Sequence, residues 1–357
     1  HGNIQLINYD NKHYNFGNSE EELKVKLKIN KPGLTYQIIK NGDIGLAEAY
    51  MRGDFEADNL TNLIELTAKN IKLIYKFSGL LDVSIINNIK SFFIKNDKSR
   101  SKKNISKHYD LGNDFFSLWL DPSLTYSSAI FEKQESNLET AQMNKYKKLL
   151  SLINPNVGDK ILEIGCGWGG FAEFVGKNYD IKMDCITISQ KQFDYASKRI
   201  FENGLNEKVK IKLQDYRDVR EKYNSIASIE MIEAVGKNYL SNFFNIIKSN
   251  LSEKGKAAIQ AITINDDLFE RYKTKEDFIQ KYIFPGGFLP SKKSLYNITS
   301  NKGLLIDSYN SYGFHYSNTL KLWSNQFFNK WDQISKQGFD INFKRMWHFY
   351  LSYCEAG

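Results

Sequence analysis

Four glycines fall within six positions at Gly165-Cys166-Gly167-Trp168-Gly169-Gly170, directly after Lys160-Ile161-Leu162-Glu163-Ile164 and directly before an apolar-periodic segment from Phe171 to Val175. That pattern reads as strand, tight turn, helix. Bare glycine backbone lets a ligand come close, and the helix that follows offers it free N–H groups. The chemistry is therefore that of holding a nucleotide-like cofactor. Glu163 adds a carboxylate at the strand end, which suits a cationic amine or sulfonium better than an anionic pyrophosphate.

Two spacings overlap in this turn. Gly165, Gly167 and Gly170 fit the dinucleotide pattern G-x-G-x-x-G, whereas Glu163, Gly165, Gly167 and Gly169 fit the acid-x-G-x-G-x-G pattern of methyltransferases that use S-adenosyl-L-methionine (SAM). A NAD-dependent oxidoreductase and a non-catalytic lipid-binding protein with a degenerate site are the rival classes.

The elements that must position this turn alternate. Strand candidates are residues 160–164, 181–187, 209–213, 225–230, 257–262 and 304–309, with helical segments between the first five. Such an order implies a mostly parallel, doubly wound α/β sheet with Rossmann-like architecture. Ligands bind beyond the carboxyl ends of its strands, where Gly165, Thr187, Asp215, Glu230 and Ile262 gather. An insertion from Asp266 to Ser291, rich in Phe and Tyr and closing with Pro285-Gly286-Gly287, reads as a lid for an apolar substrate. Residues 318–336 and 342–354 read as two amphipathic helices. Ahead of all this, residues 1–100 form a small α+β accessory domain, with strand-like alternation at 23–29 and 35–39, a turn at Asn41-Gly42-Asp43 and a helix at 44–51. A polar linker at 95–107 precedes the domain of residues 101–357.

Charge narrows the partner. The net charge of +8 is carried by residues 69–107, where ten Lys or Arg face two Asp among many Ile, Leu and Phe. A basic and aliphatic segment suits an anionic phospholipid bilayer, met peripherally, better than nucleic acid. No apolar run is long enough to span a membrane. Cys166, Cys185 and Cys354 lack metal-ligand or disulfide spacing, so a reducing cytoplasm and no metal site are expected. His1 is no initiator methionine, which suggests that the native start is missing.

Eight blocks together resemble the cyclopropane fatty acid synthase family of SAM-dependent methyltransferases. They begin with His108-Tyr109-Asp110-Leu111-Gly112-Asn113-Asp114-Phe115-Phe116 and Leu120-Asp121-Pro122-Ser123-Leu124-Thr125-Tyr126-Ser127-Ser128-Ala129-Ile130-Phe131. The glycine turn, Thr187–Gln192, Gln214–Asp218 and Glu230-Met231-Ile232-Glu233-Ala234-Val235-Gly236 follow, then Lys281–Ser291 and Phe349–Gly357. The resemblance covers residues 108–357, and residues 41–53 look like the family's leading domain.

It implies SAM contacts at Tyr126 and Ser127, along Glu163, Gly165, Cys166, Gly167 and Gly169, at Thr187, Ile188 and Gln192, and near the adenine at Asp215, Tyr216 and Arg217. The implied reaction moves a methyl group from SAM to the double bond of an unsaturated acyl chain, where positioning carries much of the rate. The resulting carbocation loses a proton to give a cyclopropane or a methylene branch.

In the family, bound bicarbonate serves as the base, held by a cysteine, a glutamate, a histidine, a tyrosine and an isoleucine backbone. This chain matches at Glu233, Ile262 and Tyr316, and departs at Ser128 for cysteine and Gln260 for histidine. Catalytic assignments therefore fall on Glu233 and Tyr316, with Ser128 and Gln260 as supporting donors. The pattern around Gln260 looks more like the branch that makes methylene- or methyl-branched chains. Cys354 occupies a position suspected as a nucleophile, although methyl transfer to an alkene needs no covalent enzyme intermediate. A homodimer is compatible with the resemblance.

Overall fold

The computed structural model of the chain describes residues 1–71, 73, 111–133 and 137–357. The linker, most of the basic segment and His108-Tyr109-Asp110 lie outside the described residues.

Two compact units emerge: one gathers the described part of His1–Phe92 with Tyr316–Gly357, and the other is that of Phe93–His315. In the first unit, strands β1 (Asn3–Ile7), β2 (His13–Gly17), β3 (Lys24–Ile29) and β4 (Phe55–Ala57) form a sheet in the order β2-β1-β3-β4. Residues 35–39 are helical, contrary to the strand expected there. Leu34 is buried and Ile38 half-buried one turn later, a helical rather than an alternating period. The turn signal at Asn41-Gly42-Asp43 marks a kink inside helix Leu34–Met51, where Gly42 takes φ 61 and ψ −133.

Helix Ile341–Ala356 belongs to this unit because its side chains bond the amino-terminal helices. Tyr50 Oη and His348 Nδ1 are 2.8 Å apart, Arg345 Nη1 donates to the Tyr50 carbonyl and Thr61 Oγ1 to Glu355. Burial lowers the His348 imidazole to about 4, so it is a neutral packing residue at physiological pH.

The second unit is built on five parallel strands, β5 (Lys160–Ile164), β6 (Lys182–Thr187), β7 (Val209–Leu213), β8 (Tyr223–Ile229) and β9 (Leu251–Gln260), in the order β7-β6-β5-β8-β9. One face buries Ile161, Met183 and Cys185 with Tyr146, Phe171 and Ile200 from helices Leu138–Ile153, Gly170–Asn178 and Gln190–Glu202. The other buries Leu162, Ile164 and Ile226 with Phe243, Phe244 and Ile247 from helix Leu240–Asn250. This is the expected Rossmann-like fold, and strands covered on both faces explain their apolar character.

Residues 304–309, expected as a sixth strand, are irregular. Leu305 is 92% exposed, so the alternation there lacks a buried face to specify pairing.

Candidate active site

The glycine turn connects β5 to helix Gly170–Asn178. Gly165 holds φ +83, and a Cβ there would stand 2.6 Å from Met231 Cγ; Gly167 holds φ +51, with nothing within 4 Å of where a Cβ would stand. The first position admits glycine alone by crowding, and the second leaves an open cradle. Beside it, Glu163 is 2% exposed and its Oε2 has no hydrogen-bond partner among the described residues. Burial pushes its carboxyl up to about 7, opposed by a hydrogen bond with Cys185. An enclosed carboxyl with an unused oxygen beside an open glycine cradle fits the cationic amine of SAM.

At the end of β6, Thr187 Oγ1 donates to Gln192 Oε1 at 2.9 Å, and Ser189 caps the helix that carries Gln192. Two expected contacts are thereby brought together, with Ile188 between them half-buried. Beyond β7, Asp215 accepts from Arg217 at Nε (2.8 Å) and Nη2 (2.7 Å). Tyr216 is buried edge-on against Phe243, with the Arg217 guanidinium 5.5 Å from its ring centre. Its ring is thus a member of the hydrophobic core.

Tyr126, Ser127 and Ser128 are positioned by residues that sequence reasoning missed. Arg199 Nη1 donates to the Ser123 carbonyl at 2.7 Å and to the Trp168 carbonyl at 3.1 Å, while Nη2 reaches the Pro122 carbonyl. One side chain therefore ties the loop to the glycine turn. From helix Leu138–Ile153, Gln142 donates to the Ser127 carbonyl at 3.0 Å and Lys145 to Ser127 Oγ at 2.5 Å. Lys145 is fully buried, and burial lowers its ammonium to about 7 against the pull of Glu230 and Asp121. A Gln and a Lys three residues apart on a helix face shared with Tyr146 and Leu149 are the available signal. Around Tyr126 stand the rings of Phe116 (5.3 Å), Trp119 (5.6 Å) and Phe284 (6.4 Å), and Phe116 also meets Trp168.

Past β8 two carboxyl groups turn inward. Glu230, at φ +45, accepts on Oε1 from the Ser128 N–H and from Gln260 Nε2, both at 2.8 Å. The Gln260 amide also donates to the Ser128 carbonyl at 3.0 Å. Glu233 Oε1 accepts from the Ile262 N–H, and its Oε2 is buried without a partner among the described residues. Burial, reinforced by Glu230, pushes Glu233 up to about 8; burial also raises Glu230, against Lys145 and its two hydrogen bonds. Glu230 is the site residue that the sequence reading left unassigned. Its unusual φ is invisible in sequence.

The insertion packs onto this region: the Phe288 N–H donates to the Glu233 carbonyl, and Phe278 and Phe288 are buried. Tyr316 and Cys354 belong to the other unit, where Cys354 is half-buried and in no disulfide among the described residues.

Three of the residues assigned to bicarbonate already spend their donors within the protein. Both Gln260 amide hydrogens, the Ser128 N–H and the Ile262 N–H are already bonded to protein oxygens.

Comparison with known proteins agrees with the fold and with SAM as the cofactor. The family model of mycolic acid cyclopropane synthetase matches residues 96–357, and a model of a domain of unknown function matches residues 2–76. A tuberculostearic acid methyltransferase of Mycobacterium tuberculosis is 35% identical over 341 residues, covering 93% of this chain and 79% of that protein. The cyclopropane-fatty-acyl-phospholipid synthase of Escherichia coli K12 is 33% identical over 333 residues, covering 92% of this chain and 83% of its own. The solved mycolic acid cyclopropane synthase complexed with SAH and CTAB superposes with a TM-score of 0.64 at 27% identity, covering 71% of this chain and 91% of that one.

The chain belongs to the cyclopropane synthase family. It is a SAM-dependent fatty-acyl methyltransferase of that kind.

Proposed function

We propose that this enzyme methylates the double bond of an unsaturated acyl chain in a membrane phospholipid and releases a methylene-branched chain. The observation that carries the reading is a cluster of aromatic rings, Phe116, Trp119 and Phe284 around Tyr126, on the loop whose Ser128 N–H bonds Glu230, one of two inward-turned carboxyl groups with Glu233. Rings accept a hydrocarbon chain, and both rings and carboxylates favour a cation that forms on it.

Bound SAM supplies an electrophilic methyl group. Glu163 and the open face at Gly167 hold it, while Thr187 and Gln192 offer hydrogen bonds at the end of β6. Arg199, Gln142 and Lys145 fix the Tyr126–Ser128 loop, so the acceptor carbon is aligned rather than activated. Replacement of the family's cysteine and histidine by Ser128 and Gln260 supports the branched product, as does similarity to a protein named a tuberculostearic acid methyltransferase.

The basic, aliphatic segment of residues 69–107 brings the enzyme to the cytoplasmic face of an anionic bilayer. Among the described residues no helix is long and apolar enough to cross a membrane.

Mass spectrometry of phospholipids from a host expressing the chain tests this. The expected result is a gain of one CH2 equivalent in monounsaturated chains, with fragmentation diagnostic of a methylene branch. Unaltered lipids alongside soluble, SAM-binding enzyme would refute the substrate, and a ring would refute the product.

A further inference from the structure

Glu230 sits one residue beyond β8 in a left-handed backbone conformation that side-chain-bearing residues seldom adopt. What that conformation achieves is specific. It turns the carboxyl group onto the Ser128 N–H and the Gln260 amide, two donors that reach it from elements distant in sequence. These are the donors that the family resemblance would lend to a dissolved bicarbonate, and here a protein carboxyl already uses them. The remaining hydrogen of the Gln260 amide is spent on the Ser128 carbonyl, and the Ile262 N–H on Glu233. The Ser128, Gln260 and Ile262 donors of the set are thereby taken up by protein oxygens.

The surroundings divide the two acids. Lys145, fully buried, supplies the positive charge that Glu230 feels. Glu233 lacks such a partner, feels Glu230 as a like charge, and keeps its proton at neutral pH. Of the two, Glu230 is the one whose neighbours, Lys145 and its two hydrogen-bond donors, oppose the effect of burial.

We propose that Glu230 is a built-in base, whose carboxylate stands where relatives hold bicarbonate and removes the proton from the methylated acyl chain without any dissolved anion. This rests on the reading above that the acceptor is an alkene. A 1,2-hydride shift moves the cation onto the methylated carbon; a C–H bond of the new methyl group then breaks, and its electron pair fills the cation as the π bond of the methylene branch. The proton ends on a Glu230 oxygen and leaves to water after product release.

The test uses purified full-length enzyme, SAM and vesicles of monounsaturated phosphatidylglycerol in carbonate-free buffer. Wild-type turnover is expected to be the same with and without added bicarbonate. Glu230→Gln is expected to lose about 100-fold or more in turnover, the scale of a lost general base, with SAM affinity by calorimetry unchanged. Glu230→Gly suits the positive φ and therefore keeps the fold; it is expected to be equally slow and to regain turnover with formate or bicarbonate. Stimulation of the wild type by bicarbonate, or Glu230→Gln turnover within about threefold of wild type, overturns the assignment. A lipid-free readout separates this from the substrate reading: carbon-13 bicarbonate should bind Glu230→Gly and not the wild type, and its binding to the wild type overturns the proposal whichever lipid is used.

Discussion

The parallel sheet carries buried acids near both of its ends, and they are treated in opposite ways. Near the strand starts, Asp184 on β6 is 2% exposed yet bonded to Lys160 (2.8 Å), Lys212 (3.0 Å) and the Tyr223 hydroxyl (2.9 Å). Although burial works the other way, these partners together hold its carboxyl below the usual range. At the other end, Glu163 near the end of β5 and Glu233 beyond β8 each keep a buried oxygen without a partner among the described residues, and both are raised. A satisfied acid stabilises the fold, whereas an unsatisfied one costs stability and is poised for a ligand.

The same acid-to-amide change at the two ends should therefore give opposite results. Glu163→Gln removes the charge offered to the SAM amine. A charge-assisted hydrogen bond contributes about 1.5–3 kcal/mol, so SAM affinity measured by calorimetry should weaken by roughly 10- to 150-fold. Its melting temperature should stay level or rise. Unchanged SAM affinity would remove Glu163 from the cofactor site.

Asp184→Asn should do the reverse. It leaves two ammonium groups facing a neutral amide, but both lysines are about one-third exposed and can turn to water. A loss of about 1–3 kcal/mol in denaturant unfolding is expected, with SAM affinity intact. Equal stability would mean that the network is only a surface feature.

A third change sharpens the comparison through pH. Glu233 moves from an ordinary value of 4.5 to about 8 in the folded chain, so between those values the folded state keeps a proton that the unfolded state releases. Its contribution is full below pH 4.5 and is lost as pH rises through 8. Glu233→Gln, which cannot titrate, should gain on the wild type steadily from pH 5 to 8 in parallel melts. A constant difference across that range would show that Glu233 titrates normally.

Much of the second unit was legible from residue type and spacing. The run Lys160–Ile164 followed by four glycines specified strand, turn and helix, because glycine-rich backbone after an apolar strand has few other solutions. The amino-terminal unit was harder. β1 and β2 are short, β2 is exposed along its length, and neither displays a buried face in sequence. Residues 304–309 mimicked a strand because alternation by itself does not reveal whether a pairing neighbour exists.

The chemistry divides in the same way. From sequence alone come the cofactor turn, the carboxylate at Glu163, the family and the departures at Ser128 and Gln260, since each is a local pattern of residue types. Only the tertiary structure decided that Glu230 takes up the Ser128 and Gln260 donors, that Arg199 ties the loop to the turn, and that Lys145 is the buried cation beside them. Ser128 and Glu230 lie 102 residues apart, and Arg199 lies 76 from Ser123. Bonds over such separations exist once the sheet has brought its strand ends together, and a positive φ at a glutamate is set by what its side chain must reach.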